Sequence, residues 1–354
     1  MRNSLCASAA AAAILIGGLS PAQAQQPAAP AAPVPYFTGN PLGLPINPAP
    51  DGSFNAISDN VKVYGAIYST ESCIYDPVRD LIVAPARGVP QAVQANNGFV
   101  SLINHDGSVH TARWIGVQNP GPQRDNLDPP LVLNEPFGSD IHDGILYLAD
   151  RDGGTPDASN PGTNLPSIAV IRMFSMETGL PAGEIRVEGS GGFNDIEVAE
   201  DGTIYASNTG TGGQNPNPES WQIWKITPDG EAAIWIQGEP LRQPNGVNID
   251  PDGNVVVVNI GNDQVLTFSA ADASLVRAET SAQSGNDGLV IMEDGTKYVS
   301  SVLMGGIARI RPGEAAELIA ENIPSAASMC YDAGANQLVV PMNANNGLAF
   351  VPLD

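Results

Sequence analysis

Four side chains scattered over more than half of the chain, Glu71, Asn194, Asn245 and Asp287, each stand at the head of a short apolar alternation that ends in a turn. Two carboxylates and two amides in one register form a donor set for a hard divalent cation. Left empty, two neighbouring acids would repel each other and one would take up a proton, whereas a bound cation removes the conflict. Ca2+ accepts carboxylate and amide oxygens in flexible geometry, and no His or Cys shares the register that Zn2+ would recruit. One divalent ion is therefore expected, Ca2+ first, with Mg2+, Mn2+ and Zn2+ open. The plainer reading is that Asn-Gly and Asp-Gly are ordinary turn dipeptides. A single such position would favour turns; four in one register favour the ion.

The elements that must carry these residues are visible as a repeat. Asn194-Asp-Ile-Glu-Val-Ala-Glu-Asp-Gly202, Asn245-Gly-Val-Asn-Ile-Asp-Pro-Asp-Gly253 and Asp287-Gly-Leu-Val-Ile-Met-Glu-Asp-Gly295 each reach an Asp-Gly turn and lead into a second apolar run. Three degenerate copies begin at Glu71, at Ser139 and at Ala327, the last without a ligand-type residue at its head. Further short runs such as Trp221-Gln-Ile-Trp-Lys-Ile226 and Gln264-Val-Leu-Thr-Phe268 lie between the copies. Four strands per unit, six units and no convincing long amphipathic helix predict an all-β, six-bladed β-propeller. The sixth unit has one run too few, and Val61-Lys-Val-Tyr64 belongs to no other unit, so it is expected to supply the last blade's outer strand and close the ring. Closure makes blades one and six neighbours and brings Cys73 towards Cys330. A disulfide there is open, and two buried thiols are the plainer reading.

Outside the repeat, residues 1–24 read as a signal peptide: Arg2, an alanine-rich apolar stretch, then Ala22-Gln-Ala24 with the small-x-small form of a cleavage site. Residues 25–52, crowded with Pro and Ala and nearly free of charge, read as a linker. Residues 53–354 are the propeller. The formal charge is −23, becoming −24 once Arg2 leaves with a leader that has no acid. So acidic a surface argues against nucleic acid or an anionic membrane as partner. No other stretch is apolar enough to insert in a membrane, no obligate protein partner is indicated, and a small molecule is the expected partner. The expected location is periplasmic or secreted.

The motifs Glu71-Ser-Cys-Ile-Tyr-Asp-Pro, Phe193-Asn-Asp, Pro244-Asn-Gly-Val and Asn286-Asp-Gly-Leu, in that order, resemble the SMP-30/gluconolactonase-like (regucalcin-like) six-bladed propellers over roughly residues 61–353. The resemblance implies that Glu71, Asn245 and Asp287 bind a divalent cation, that Asn194 lies beside the substrate, and that the activity is lactone hydrolysis with Asp287 as base. One departure is Gly192, where the sugar-lactone enzymes carry an arginine. The expected function is thus a divalent-metal-dependent hydrolase of a lactone or related ester, in which the metal polarises a carbonyl attacked by water and Asp287 helps deprotonate that water. The alternative is a non-catalytic periplasmic propeller that binds a small molecule; a metal-free, strictosidine-synthase-like propeller is a third class. No Gly-x-Ser-x-Gly elbow or Cys-His pair offers a competing nucleophile. His142 reads as a structural histidine, and His105 and His110 as turn-flanking residues without chemistry. Loops at residues 86–98, 118–136, 152–167 and 210–220 should wall one side of the site on the face of the key residues.

Overall fold

The computed structural model describes residues 56–354 except 66, 89–95, 117–126, 156, 158, 161 and 162. The leader and linker expected at residues 1–24 and 25–52 lie outside the described residues.

The repeat folds as six four-stranded antiparallel sheets. Blade 1 runs Ile74–Asp76, Leu81–Ala86, Phe99–Ile103 and Val109–Gly116. Blade 2 runs Ser139–His142, Ile145–Gly153, Ser167–Ser175 and Pro181–Val187. Blade 3 runs Ile196–Val198, Ile204–Asn208, Gln222–Ile226 and Ala232–Gln237. Blade 4 runs Pro244–Ile249, Val255–Asn259, Gln264–Phe268 and Leu275–Thr280. Blade 5 runs Asn286–Ile291, Lys297–Ser301, Ile307–Ile310 and Glu317–Ala320. Blade 6 runs Cys330–Asp332, Gln337–Met342 and Gly347–Pro352. Its fourth strand is Lys62–Gly65, paired antiparallel with Lys62 opposite Phe350 and Tyr64 opposite Leu348, so the ring closes as the unpaired run predicted.

Burial follows position within a blade. The second strand is covered by sheets on both faces and reads as a continuous apolar run, as in Val255-Val-Val-Val258, all fully buried. The outermost strand meets solvent, and Leu275–Thr280 is exposed over most of its length. The apolar side chains gather at the joints between blades. Ile171 and Ala149 of blade 2 pack with Ile196, Ala206 and Trp224 of blade 3, and each of the other five joints has its own cluster. Such contacts, at about 25 cal/mol per Å² of apolar surface removed from water, hold neighbouring blades in fixed rotation. The Asp-Gly pairs at Asp201 and Asp294 are the hairpin turns expected: each aspartate accepts the amide two residues on, 2.9 Å away, and each following glycine has φ near +80°.

At the joint of blades 1 and 6 the structure replaces the two-thiol reading with a bond. Cys73 and Cys330 form a disulfide, their Cα atoms 5.4 Å apart. Ring closure set the two cysteines on facing strands, and sequence spacing alone did not reveal how close. His105 reinforces the same joint: its ring nitrogens meet Asp332 of blade 6 at 2.8 Å and Asp80 at 3.1 Å. This histidine is a clamp between blades, consistent with its lack of chemistry in the sequence reading.

Candidate functional site

The first strands are the innermost, each packed against its counterparts in the two adjoining blades around the full ring. What lets them approach so closely is a small residue in the register. A Cβ on Gly246 would lie 2.4 Å from the carbonyl oxygen of Asp287, and one on Gly288 would lie 2.5 Å from the amide nitrogen of Met329. Where the position carries a side chain, that chain bridges the joint instead. Asp195 Oδ2 accepts the Val247 amide at 3.0 Å, joining blade 3 to blade 4, and Cys73 joins blade 1 to blade 6 through its bond to Cys330.

The ladders refine the register of the repeat. Ile74, Ile196, Val247, Leu289 and Cys330 pair with the third residue of their respective second strands. Asn194, Asn245 and Asp287 stand two residues before these positions. Glu71 stands one residue further back, and Ser72 holds the equivalent place. The chain bulges here: five residues from Thr70 to Ile74 oppose four from Val83 to Ala86. In blade 2 the equivalent is Phe137, whose amide bonds to Ala149 as that of Asn194 bonds to Ser207. The copy beginning at Ser139 looked shortened because its head is an aromatic residue two places earlier.

All four sequence-derived residues lie at this inner, strand-entry end of the ring. Glu71, Asn245 and Asp287 are buried, and Asn194 borders a pocket. Asp287 lies within electrostatic reach of Glu71. Burial pushes the Asp287 carboxyl well above the ordinary carboxylate range, and the charges of Glu71 and Asp195 push it further, against a smaller opposing pull from Arg87. Asn245 precedes Gly246, whose backbone packs closely against that of Asp287. Three buried oxygens, Asn194 Oδ1, Asn245 Oδ1 and Asp287 Oδ1, have no hydrogen-bond partner, and neither do the two amide atoms of the adjoining Asn286. Orphaned buried acceptors are rare because each costs roughly 1–3 kcal/mol. Unpartnered acceptor oxygens within electrostatic reach of two acids are the chemistry of a cation site, so the oxygens of Asn194, Asn245 and Asp287 fit a hard divalent ion. Among the described residues no group of three or more His, Cys, Asp or Glu is arranged for a metal; the set here is two acids completed by amides.

Several neighbours escaped the sequence reading. Arg87 follows the second strand of blade 1 and bridges Glu71 at 3.2 Å and Glu135 at 2.9 Å, its guanidinium 4.4 Å from the centre of the Phe137 ring. Asn343 follows the second strand of blade 6 and donates to Glu71 at 2.6 Å. Glu135, fully buried, also pairs with Arg151, which follows the equivalent stretch of blade 2. A signal for them exists: the second runs end in polar residues, Arg87, Arg151, Asn208, Asn259, Ser301 and Asn343, on the face of the key residues. Deeper on the inner strands burial raises Asp195 to about 7, helped by Asp140 and Glu71, and Asp140 to about 6. His142 lies 3.5 Å from the exposed Asp143.

A pocket of about 370 Å³ opens beside Asn194, lined among others by Phe137, Arg151, Gly192, Phe193 and Asn208. It lies between blades 2 and 3, at the ends of second strands and on the connection between blades. Ser167 and Gly210, at the edges of two long loops, border it as the loop positions predicted.

Residues 182–341 match the family model described as the SMP-30/Gluconolactonase/LRE-like region, so the resemblance drawn from the sequence is borne out over that stretch. The fold agrees with solved structures. A candidate gluconolactonase aligns with TM-score 0.54 at 15% identity, covering 83% of this chain and 93% of its own. A gluconolactonase from Xanthomonas campestris aligns with TM-score 0.51 at 17% identity, covering 83% and 90%. A virginiamycin B lyase from Staphylococcus aureus, solved with quinupristin, aligns with TM-score 0.51 at 13% identity, covering 83% and 100%. At these identities the likeness is one of fold. No curated protein matches the chain significantly.

Proposed function

We propose that the protein is a divalent-metal-dependent hydrolase of a lactone or related ester, with Glu71, Asn245 and Asp287 as metal ligands, Asp287 as base and Asn194 as substrate ligand. The observation that carries this reading is the set of orphaned buried oxygens on Asn194, Asn245 and Asp287 within electrostatic reach of two acids. The match to a gluconolactonase-like region supports the reaction class. When bound, the ion, Ca2+ by the chemistry of its donors, supplies Lewis acidity to the carbonyl and stabilises the oxyanion.

The chain's own residues do the rest. Asn194, at the rim of the pocket, hydrogen-bonds the substrate and fixes its carbonyl towards Asp287. Phe137 and Phe193 line the pocket and limit water. The oxygen of one water attacks the carbonyl carbon while Asp287 accepts its proton. The ring C–O bond then breaks, and the proton passes to the departing alkoxide, giving a hydroxy acid. Arg87 and Asn343 hold Glu71 in place through the contacts at 3.2 and 2.6 Å. The site works in the periplasm or outside the cell in this reading, and the disulfide supports an oxidising compartment.

The test is metal content by mass spectrometry in the purified protein, with hydrolysis of a lactone panel measured before and after full chelation. Activity that disappears on chelation and returns with Ca2+ is expected. Hydrolysis unchanged by metal removal overturns the mechanism, and cation binding without turnover of any lactone or ester makes the protein a binding propeller instead.

A further inference from the structure

The pocket beside Asn194 holds a charge that the hydrolytic reading does not use. Only Asp150 and Arg151 among its lining residues are ionisable. Asp150 is fully engaged: its Oδ1 accepts the Glu135 amide at 2.6 Å, and its Oδ2 accepts the Asn134 amide at 3.0 Å and Arg172 Nε at 3.1 Å. Arg151 is not. Its one carboxylate partner, Glu135, is shared with Arg87, and its buried Nε has no hydrogen-bond partner. Glu135 is thus divided between two guanidinium groups, and the second carboxylate of the cluster, Glu71, is bridged by Arg87 and not by Arg151.

The backbone opposite Arg151 is bare. A Cβ on Gly192 would meet only Arg151 Cδ, 3.6 Å away, so the glycine leaves open space beside the guanidinium. Phe137, 5.7 Å from the Arg151 guanidinium, and Phe193 supply apolar walls that lower the local dielectric and strengthen any ion pair made there. A planar guanidinium bordering the pocket suits a carboxylate, which such a fork can bind through two parallel hydrogen bonds.

We propose that this pocket receives a carboxylate on the substrate, bound by Arg151, so that the substrates are acidic lactones or esters rather than neutral ones. The inference rests on the hydrolase reading for the position of the reacting carbonyl, which Asn194 links to the pocket. Arg151 is then a specificity-determining residue: it selects the anionic end of the ligand while the chemistry proceeds next to Asp287.

Tetrahydrofuran-2-carboxylate and tetrahydrofuran-2-carboxamide, which have no lactone carbonyl, separate recognition from turnover. Calorimetric titration of the full chain should show the carboxylate binding at least about tenfold more tightly than the amide. Arg151→Gln should abolish that preference with bound metal unchanged. Gly192→Asp, which places an internal carboxylate beside an untouched Arg151, should abolish it too and guards against misfolding of the first variant. Equal affinities, no binding of either probe, or a preference that survives in folded Arg151→Gln overturns the proposal. Failure of the hydrolase reading looks different: the carboxylate preference stands, but no lactone, acidic or neutral, is turned over. Conversely, equal kcat/KM for an acidic lactone and its amide leaves the hydrolase and removes the selectivity.

Discussion

Replacing Asp287 by Asn should make the metal-free protein more stable and the metal-loaded protein less responsive. In the folded chain Asp287 is buried, repelled by Glu71 and Asp195, and its carboxyl is held well above the ordinary range. A raised pKa means that the charged form is disfavoured by folding. Each pH unit between the ordinary and the raised value costs about 1.4 kcal/mol. For a body of about 300 residues the entropy of unfolding is about 0.6 kcal/mol per degree, so each such unit is worth about 2 °C in Tm. The asparagine removes that cost and offers an amide donor near Glu71. With cation, the order reverses. A ligand at a hundred times its Kd stabilises the native state by about 2.7 kcal/mol, or about 4 °C here, and a variant with one acid fewer should lose most of that shift. The assay is thermal unfolding at pH 8, chelated and with Ca2+ added, for both proteins, beside lactone hydrolysis. A chelated Asp287→Asn protein that melts below chelated wild type while keeping the full response to Ca2+ would refute the reasoning that these acids face each other across a cation site.

Three further outcomes follow from the packing and the charges. The bond between Cys73 and Cys330 spans 257 residues, and a loop of that length gives an entropic stabilisation of up to about 5 kcal/mol; the double Cys→Ser variant should therefore melt up to about 8 °C lower by calorimetry, and a change under about 1 °C would contradict this. Gly246→Ala forces a methyl to within 2.4 Å of the Asp287 carbonyl oxygen, which should cost about 2–3 kcal/mol in denaturant unfolding and displace Asp287 enough to abolish hydrolysis. The chelated protein should lose stability as pH rises from 5 to 8. Asp195 at about 7 and Asp140 at about 6 are both raised from 3.8. His105 is raised as well: burial opposes its charge, but Asp332 and Asp80 outweigh burial. For each, the folded state binds protons more tightly than the unfolded chain, so the stabilisation is present at low pH and lost as pH passes through the folded pKa. A melting temperature flat or rising across this window would show these groups to be ordinary.

The six blades and the strand that closes them were legible because a propeller repeats one local pattern, and local patterns are what a sequence displays. Asp201-Gly202 and Asp294-Gly295 announce their hairpins through turn chemistry, and Val255-Val-Val-Val258 announces a strand covered on both faces. Heads of strands were legible to within two residues. Glu71 and Phe137 depart from the common register because a bulge and an aromatic substitution sit where the other blades have regular spacing and an oxygen ligand. What remained hidden depends on contacts between blades. Nothing near Arg87 in sequence identifies Glu71 and Glu135 as its partners, since they lie 16 and 48 residues away and meet it only after the ring closes. Arg151 lies in blade 2 and Gly192 on the connection to blade 3, and the empty space one leaves beside the other exists only in three dimensions. The donors that would hold an ion are thus set by the repeat, while the residues that tune its charge and choose its substrate are set by the joints. On the proposed reading, substrate preference would change through residues such as Arg151 and Gly192 without touching the register that carries Glu71, Asn245 and Asp287.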